Sequence, residues 1–260
     1  MMTDHKNRIA AIAESEEERM LLVRVFDKLE RGYEREMPVS TAFLTPREQA
    51  LVKQLMPHTR FWGGTEDADR RVAYYLPDYM TKEDYFQGDV ISCLRGKFYE
   101  ADSLSHRDVL GALMGAGIRR DAIGDIIVRE KCCEFFLLSE LTKYLMDNLS
   151  SAGRQHLQLE QVDPNTVEKP PQTMKELRIT VSSLRLDSVL SGTFHLSRGK
   201  TAEAIQAGRV SLNSLTCTKP DKQVNPGDEL SLRGSGKLRI LELHGQTKKD
   251  RTAITVGIFI

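Results

Sequence analysis

The chain has 260 residues, 40% hydrophobic and 28% charged, with 37 Lys or Arg matched by 37 Asp or Glu. This is the profile of a soluble globular protein with room for about two domains, and no apolar run approaches the ~18 residues of a spanning helix. The apolar stretch near the start, Ile9 to Ala13, is too short for a secretory signal, so a cytoplasmic protein without membrane contact is expected.

Residues 15–31 place Leu22, Val25, Phe26 and Leu29 at i, i+3, i+4 and i+7 behind Glu16, Glu17 and Glu18, which predicts an amphipathic helix with acids at its positive end. Thr45-Pro46-Arg47-Glu48 opens a second helix. Thr45 can cap it, Pro46 suits its first position, Glu48 can close a capping box, and Leu51, Val52 and Leu55 form the apolar stripe. Gly63-Gly64 then break the pattern. Residues 1–70 are therefore expected to form an N-terminal helical domain.

From about residue 71 the period changes. Strand-like runs fall at 71–76, 89–95, 123–129, 131–138 and 155–162, and helix-like runs at 105–116 and 139–149, giving the order ββαββαβ. The last six elements have the order of a ferredoxin-like or RNA-recognition-motif domain, expected over residues 71–162 as an antiparallel sheet with two helices on one face. That is a fold expectation only.

Several motifs in this stretch imitate chemistry. His106-Arg107-Asp108 looks like a kinase catalytic loop, but Leu113 stands where the magnesium-binding Asn belongs, so Ser105 reads as a helix cap and Asp108 as its first-turn acid. Gly111, Gly115 and Gly117 lack the G-x-G-x-x-G order of a dinucleotide loop. Arg119-Arg120 could touch phosphate, yet residues 71–162 hold 11 basic and 14 acidic groups, and the pair reads more simply as solvated surface. Phe135 and Phe136 lie where an RNA-recognition motif carries stacking rings, in a sequence that does not match the aromatic signature, so at least one ring should face the core. Cys93, Cys132, Cys133 and Cys217 contain no C-x-x-C pair. No metal, cofactor or catalytic residue is expected.

Residues 163–175 hold three prolines and few apolar groups and read as a linker to a separate module at 176–260. In that module Ser183 can cap a helix burying Leu186, Val189 and Leu190. A second helix starts at Ser197-Arg198-Gly199-Lys200 and stops at Gly208. Strands are predicted at 209–213, 215–218, 228–232, 237–243 and 252–259. Charge is uneven: residues 177–260 carry thirteen Lys or Arg against seven Asp or Glu, a net of +6, so the remainder carries −6. Arg198 and Lys200 sit at the positive end of a helix dipole, where phosphate is favoured. A basic module on an acidic body is the footprint of a polyanion binder.

Leu184-Arg185-Leu186-Asp187, Ser197-Arg198, Ile205 through Asn213, and Val224-Asn225-Pro226-Gly227-Asp228-Glu229-Leu230 resemble the S4 RNA-binding domain. Carried over by position, the resemblance implies that Arg185, Ser197, Arg198, Lys200, Arg209 and Asn213 contact RNA. Asn213-Ser214 departs from the Asn-Gly usual at the hairpin turn. Upstream, Thr41 through Gln49, Gly63-Gly64 with Asp69-Arg70-Arg71, and His106 through Arg120 with Gly124-Asp125-Ile126 are similar to the YlmH group of bacterial S4 proteins.

The whole reads as α+β: an N-terminal helical segment, a ferredoxin-like centre and a C-terminal S4 domain. The resemblance implies a non-enzymatic protein that recognises structured ribosomal RNA or tRNA on the ribosomal large subunit during rescue of stalled translation, with no small-molecule substrate. It also implies a link to cell division. Two alternatives stay open: an RNA-modifying enzyme such as a pseudouridine synthase, and a cell-division adaptor whose acidic half docks a partner.

Overall fold

A computed structural model describes residues 2–86, 90–98, 104–246 and 251–260. They divide into two compact units, Met1–Lys169 and Pro170–Ile260.

The first unit begins with α1 (Met2–Ile12) and α2 (Glu16–Glu34), followed by β1 (Val39–Leu44), α3 (Pro46–Leu55), β2 (Arg60–Trp62) and β3 (Arg71–Tyr75). Ser15 caps α2 by accepting from Glu18 N–H, and the expected Thr45 and Glu48 capping box is present. The expected helical N-terminal part is present in α1 to α3, and it also carries strands the sequence did not reveal: β1 and β2 join a three-stranded antiparallel sheet in the order β1-β3-β2, to which β3 supplies the central strand. β1 is bulged between Ser40 and Phe43, and Thr41 Oγ1 fills the gap by accepting from Ala73 N–H at 2.9 Å. That bulge disturbs the alternation by which strands are recognised in a sequence.

Next come α4 (Lys82–Phe86), β4 (Ile91–Lys97), α5 (His106–Gly115), β5 (Ile123–Val128), β6 (Cys132–Leu138), α6 (Thr142–Asn148), the short strands β7 (Ser151–Ala152) and β8 (Gln155–His156), and β9 (Gln158–Val162). Asp89, first residue of the strand expected at 89–95, lies outside the described residues. The sheet order is β5-β6-β4-β9 with every neighbour antiparallel, and β7 pairs with β8 as a separate hairpin. Ser105 and Asp108 form a capping box at α5, so the kinase-like tripeptide starts a helix.

On one face of this sheet Leu94, Phe135 and Leu137 pack with Val109, Leu113 and Leu145. On the other, Cys93, Ile127 and Phe136 pack with Phe43, Val72 and Val167. Adjacent residues of a strand point to opposite faces, so Phe135 and Phe136 anchor different cores, and both are fully buried. Gly64 permits this packing: its φ is +99°, and a Cβ there would lie 2.4 Å from the Phe136 ring.

The segment expected as linker is shorter than 163–175. Asp163 caps a turn at Pro164–Thr166, Val167 is buried, and Lys169 Nζ pairs with Asp69 at 2.6 Å and Asp125 at 2.9 Å. Asp125, itself buried, also accepts from the Asp69 and Arg70 backbone N–H groups at 2.8 and 2.9 Å. One carboxylate thereby ties β5, the approach to β3 and the end of the unit together.

The second unit contains β10 (Met174–Val181), α7 (Leu186–Phe194), α8 (Arg198–Gln206), β11 (Val210–Leu212), β12 (Leu215–Thr216), β13 (Glu229–Leu232), β14 (Gly236–Gln246) and β15 (Thr252–Phe259). Its six strands form an antiparallel sheet in the order β10-β15-β14-β13-β11-β12. Leu186, Val189, Leu190, Ala204 and Ile205 of the two helices meet Leu230, Leu238, Ile240, Ile254 and Val256 of the sheet. Strand β10 replaces what read as linker and helix approach, because its interior positions are half exposed and its alternation is weak in sequence.

Candidate nucleic-acid interface

The N-terminus of α7 is built differently from the sequence expectation. Its N-cap is Arg185, not Ser183, and has no side-chain cap. Instead the Leu186 and Asp187 N–H groups donate to the Lys222 and Pro220 carbonyls at 2.9 and 3.0 Å, and Val224 N–H donates back to Leu184 O at 2.9 Å. The orphan donors of that helix end are therefore consumed within the fold. Arg185 is half exposed and grips Asp187 through Nε at 3.1 Å and Nη2 at 3.0 Å. Removing that pairing would be necessary before Arg185 could lend its full charge to a ligand.

At α8 the expected cap is present: Ser197 Oγ accepts from Lys200 N–H at 3.3 Å. Ser197 is thereby committed to the helix. Arg198 and Lys200 project from the first turn and are exposed. Arg198 Nη2 donates to Ser182 Oγ, which brings it to the segment leading into α7, where Ser182 and Ser188 hydroxyls lie 3.3 Å apart. The Lys200 ammonium makes no hydrogen bond or ion pair among the described residues.

Arg209 is exposed and follows the other end of α8, a helix about 13 Å long. Across the β11–β13 pairing its carbonyl accepts from Arg233 N–H at 3.0 Å. Arg233, also exposed, was not singled out in the sequence; its signal is only that it flanks the β13–β14 turn. The two side chains carry no ion pair among the described residues.

Asn213 does something else. Its Nδ2 donates to Asp228 Oδ1 at 2.8 Å and its Oδ1 accepts from Glu229 N–H at 2.9 Å, so the amide locks the β11–β12 hairpin to β13. Asn213 and Ser214 have φ of +49° and +69°, both left-handed, so the turn keeps the backbone that Asn-Gly would adopt and Ser214 bears the strain. Of the six residues drawn from the resemblance, Arg185, Arg198 and Lys200 thus lie toward the starts of the two helices, Arg209 stands at the far end of α8, and Ser197 and Asn213 hold the scaffold.

The first unit carries cations of another kind. Arg95, Lys97, Arg129 and Lys131 line a cleft of about 650 Å³ on the sheet. Glu134, 1% exposed, accepts from Arg95 Nη2 at 2.6 Å and Arg129 Nε at 3.0 Å, and Glu160 takes Lys97 at 2.8 Å. Phe135 and Phe136 offer no stacking surface there. Burial pushes the Cys133 thiol up to about 11, which suits a small core residue rather than a nucleophile. Among the described residues no cluster of three or more His, Cys, Asp or Glu is placed to hold a metal ion, and no helix is long and apolar enough to cross a membrane.

Comparison with known proteins places these features in a class. Residues 184–230 match the S4 domain, and residues 95–166 match the putative RNA-binding domain in YlmH. The chain thus joins two domains of RNA-binding type. It is 33% identical over 221 residues to the ribosome-associated protein quality control protein P2 of Bacillus subtilis (strain 168), an alignment covering 83% of this chain and 85% of the relative. The chain belongs to the YlmH family of S4-domain proteins. A solved structure, the cell division protein ylmH from Streptococcus pneumoniae, aligns at 21% identity with a TM-score of 0.48, over 58% of this chain and 93% of that one.

Proposed function

We propose that this protein is a non-enzymatic RNA-binding factor that works on the ribosome, contacting structured ribosomal RNA or tRNA on the large subunit through the S4 module. The observation that carries the reading is the set of exposed cations on the second unit: Lys200 in the first turn of α8, Arg209 beyond its end and Arg233 after β13 stand without carboxylate partners among the described residues, and Arg198 is held in place by a neutral hydroxyl that leaves its charge intact. Such groups engage phosphates and shape rather than base edges. The relative's ribosome-associated role in protein quality control supports the setting. We read the central sheet, by its strand order, as a ferredoxin-like platform whose paired cations serve stability first.

Salt-dependent titration with ribosomal RNA and tRNA tests this. Arg198→Ala with Lys200→Ala should lower the salt slope by about two, roughly one per phosphate contact removed. Unchanged affinity and slope would refute the assignment. Co-sedimentation with separated ribosomal subunits checks the setting, with recovery in the large-subunit fraction expected.

A further inference from the structure

A cleft of about 360 Å³ opens in the first unit between α2, the end of β1 and the turn preceding β5. Two guanidinium groups in its wall lack carboxylate partners. Arg70 is 9% exposed, yet Nε donates to Ile123 O at 2.8 Å and Nη2 to the Phe43 and Arg120 carbonyls at 3.3 and 3.2 Å. Arg120 donates through Nη1 to Ile123 O at 2.8 Å. Neither forms an ion pair among the described residues, and Arg70 Nη1 and Arg120 Nη2 carry no hydrogen bond there. Carbonyl oxygens satisfy donors but bring no full charge, so two cations remain near each other, Arg70 buried and Arg120 half-buried. Desolvation pushes both guanidinium groups below their ordinary range, and the Arg120 charge pushes Arg70 further.

The carboxylates nearby are already engaged. Glu48 caps Thr45 N–H at 2.6 Å, Asp121 takes Arg119, and Asp125 holds Lys169 and two backbone N–H groups. Across the cleft α2 presents Arg24 and Lys28, one turn apart and exposed. Five lining cations therefore face two lining carboxylates, of which Asp121 pairs with Arg119 and Glu48 caps α3. An excess of three charges, with guanidinium forks among them, suits a phosphate with several acceptor oxygens better than a single carboxylate.

We propose that this cleft is a phosphate-binding site, with Arg70 and Arg120 as its floor and Arg24 and Lys28 at its mouth, and that the phosphate it takes belongs to an RNA backbone. The first half stands on the cleft alone; the second rests on the RNA-binding reading above. By sequence alone Arg119-Arg120 reads as solvated surface. In the structure only Arg119 fits that description, paired in the open with Asp121.

The full chain, labelled at arginine, is titrated with inorganic phosphate at constant ionic strength while the arginine Nε–Hε resonances are followed. The two resonances assigned through Arg70→Lys and Arg120→Lys should move saturably. Arg24→Gln with Lys28→Gln, both exposed and outside the core, should weaken the apparent affinity about fivefold without altering the thermal midpoint. If Arg70→Lys does not fold, Arg120→Lys and the α2 variant still read the site. No saturable movement, or an affinity indifferent to the α2 variant, overturns it. In salt titrations with a ribosomal RNA hairpin the α2 variant should lower the slope by about two. An unchanged slope with phosphate binding intact refutes the RNA source and leaves a free phosphate compound as ligand. Arg198→Ala with Lys200→Ala should leave the phosphate titration untouched, so its failure to weaken RNA binding counts against the S4 assignment alone.

Discussion

In the first unit, Arg95 and Arg129 close on the buried Glu134, Lys97 on Glu160 and Lys169 on Asp125, whereas in the second Lys200, Arg209 and Arg233 stand in solvent. Both units are rich in arginine and lysine, and the difference lies in what those side chains face. A cation about 3 Å from a carboxylate contributes little field at a distance, while an unpaired one projects its potential out to roughly the screening length. Net charge alone would have assigned ligand binding to the second unit only. The Arg70 and Arg120 cleft shows that an acidic unit can still hold a local positive site when its carboxylates are used elsewhere.

The comparison can be broken in four places. The largest effect is expected from Phe136→Ala, which empties a fully buried site and should cost about 4 kcal/mol in urea denaturation. RNA affinity of the folded variant should not change, since the ring is not a stacking platform; a loss of affinity would place RNA on that sheet face. Glu134→Gln should cost about 2 kcal/mol by stranding Arg95 and Arg129, with the RNA salt slope unaltered. A steeper slope would mean that freed cations on the sheet are recruited by RNA, erasing the contrast between the units.

Ser214→Gly in the second unit should stabilise by about 0.5 kcal/mol, because glycine takes the positive φ without strain, and thermal melts should show a raised midpoint. The smallest effect is a pH dependence at Glu229. Burial pushes its carboxyl up, but Lys237 at 2.5 Å and Arg239 at 2.5 Å together hold it below its ordinary 4.5. A carboxyl depressed in the folded state stabilises above its unfolded value, and that contribution disappears as pH falls through the folded one. The stability gap between the native chain and Glu229→Gln, at most about 0.4 kcal/mol with solvent screening, should be present at pH 7 and shrink as pH falls below the ordinary carboxyl range.

Local signals were legible where a few neighbouring residues settle the matter. Thr45 and Ser105 cap the helices that their spacing to Glu48 and Asp108 announces. The α7–α8 pair and strands β11 to β15 follow the apolar pattern of the last third. Strand β1 was missed because a bulge and a following helix cap mask its alternation. The fate of Asn213 was missed because its partners, Asp228 and Glu229, lie fifteen and sixteen residues on. Ser183 was misplaced as a cap because the carbonyls that replace it come from residues 220 and 222.

The capped helices, the α+β class, the basic last third and the family motifs were all written in the chain, since periodicity, capping and composition act over a few residues. Which arginines are spent and which are available was settled only by the fold. Ion pairing and burial depend on groups brought together from distant positions: Arg70 and Arg120 are 50 residues apart in the chain and share one wall of a cleft.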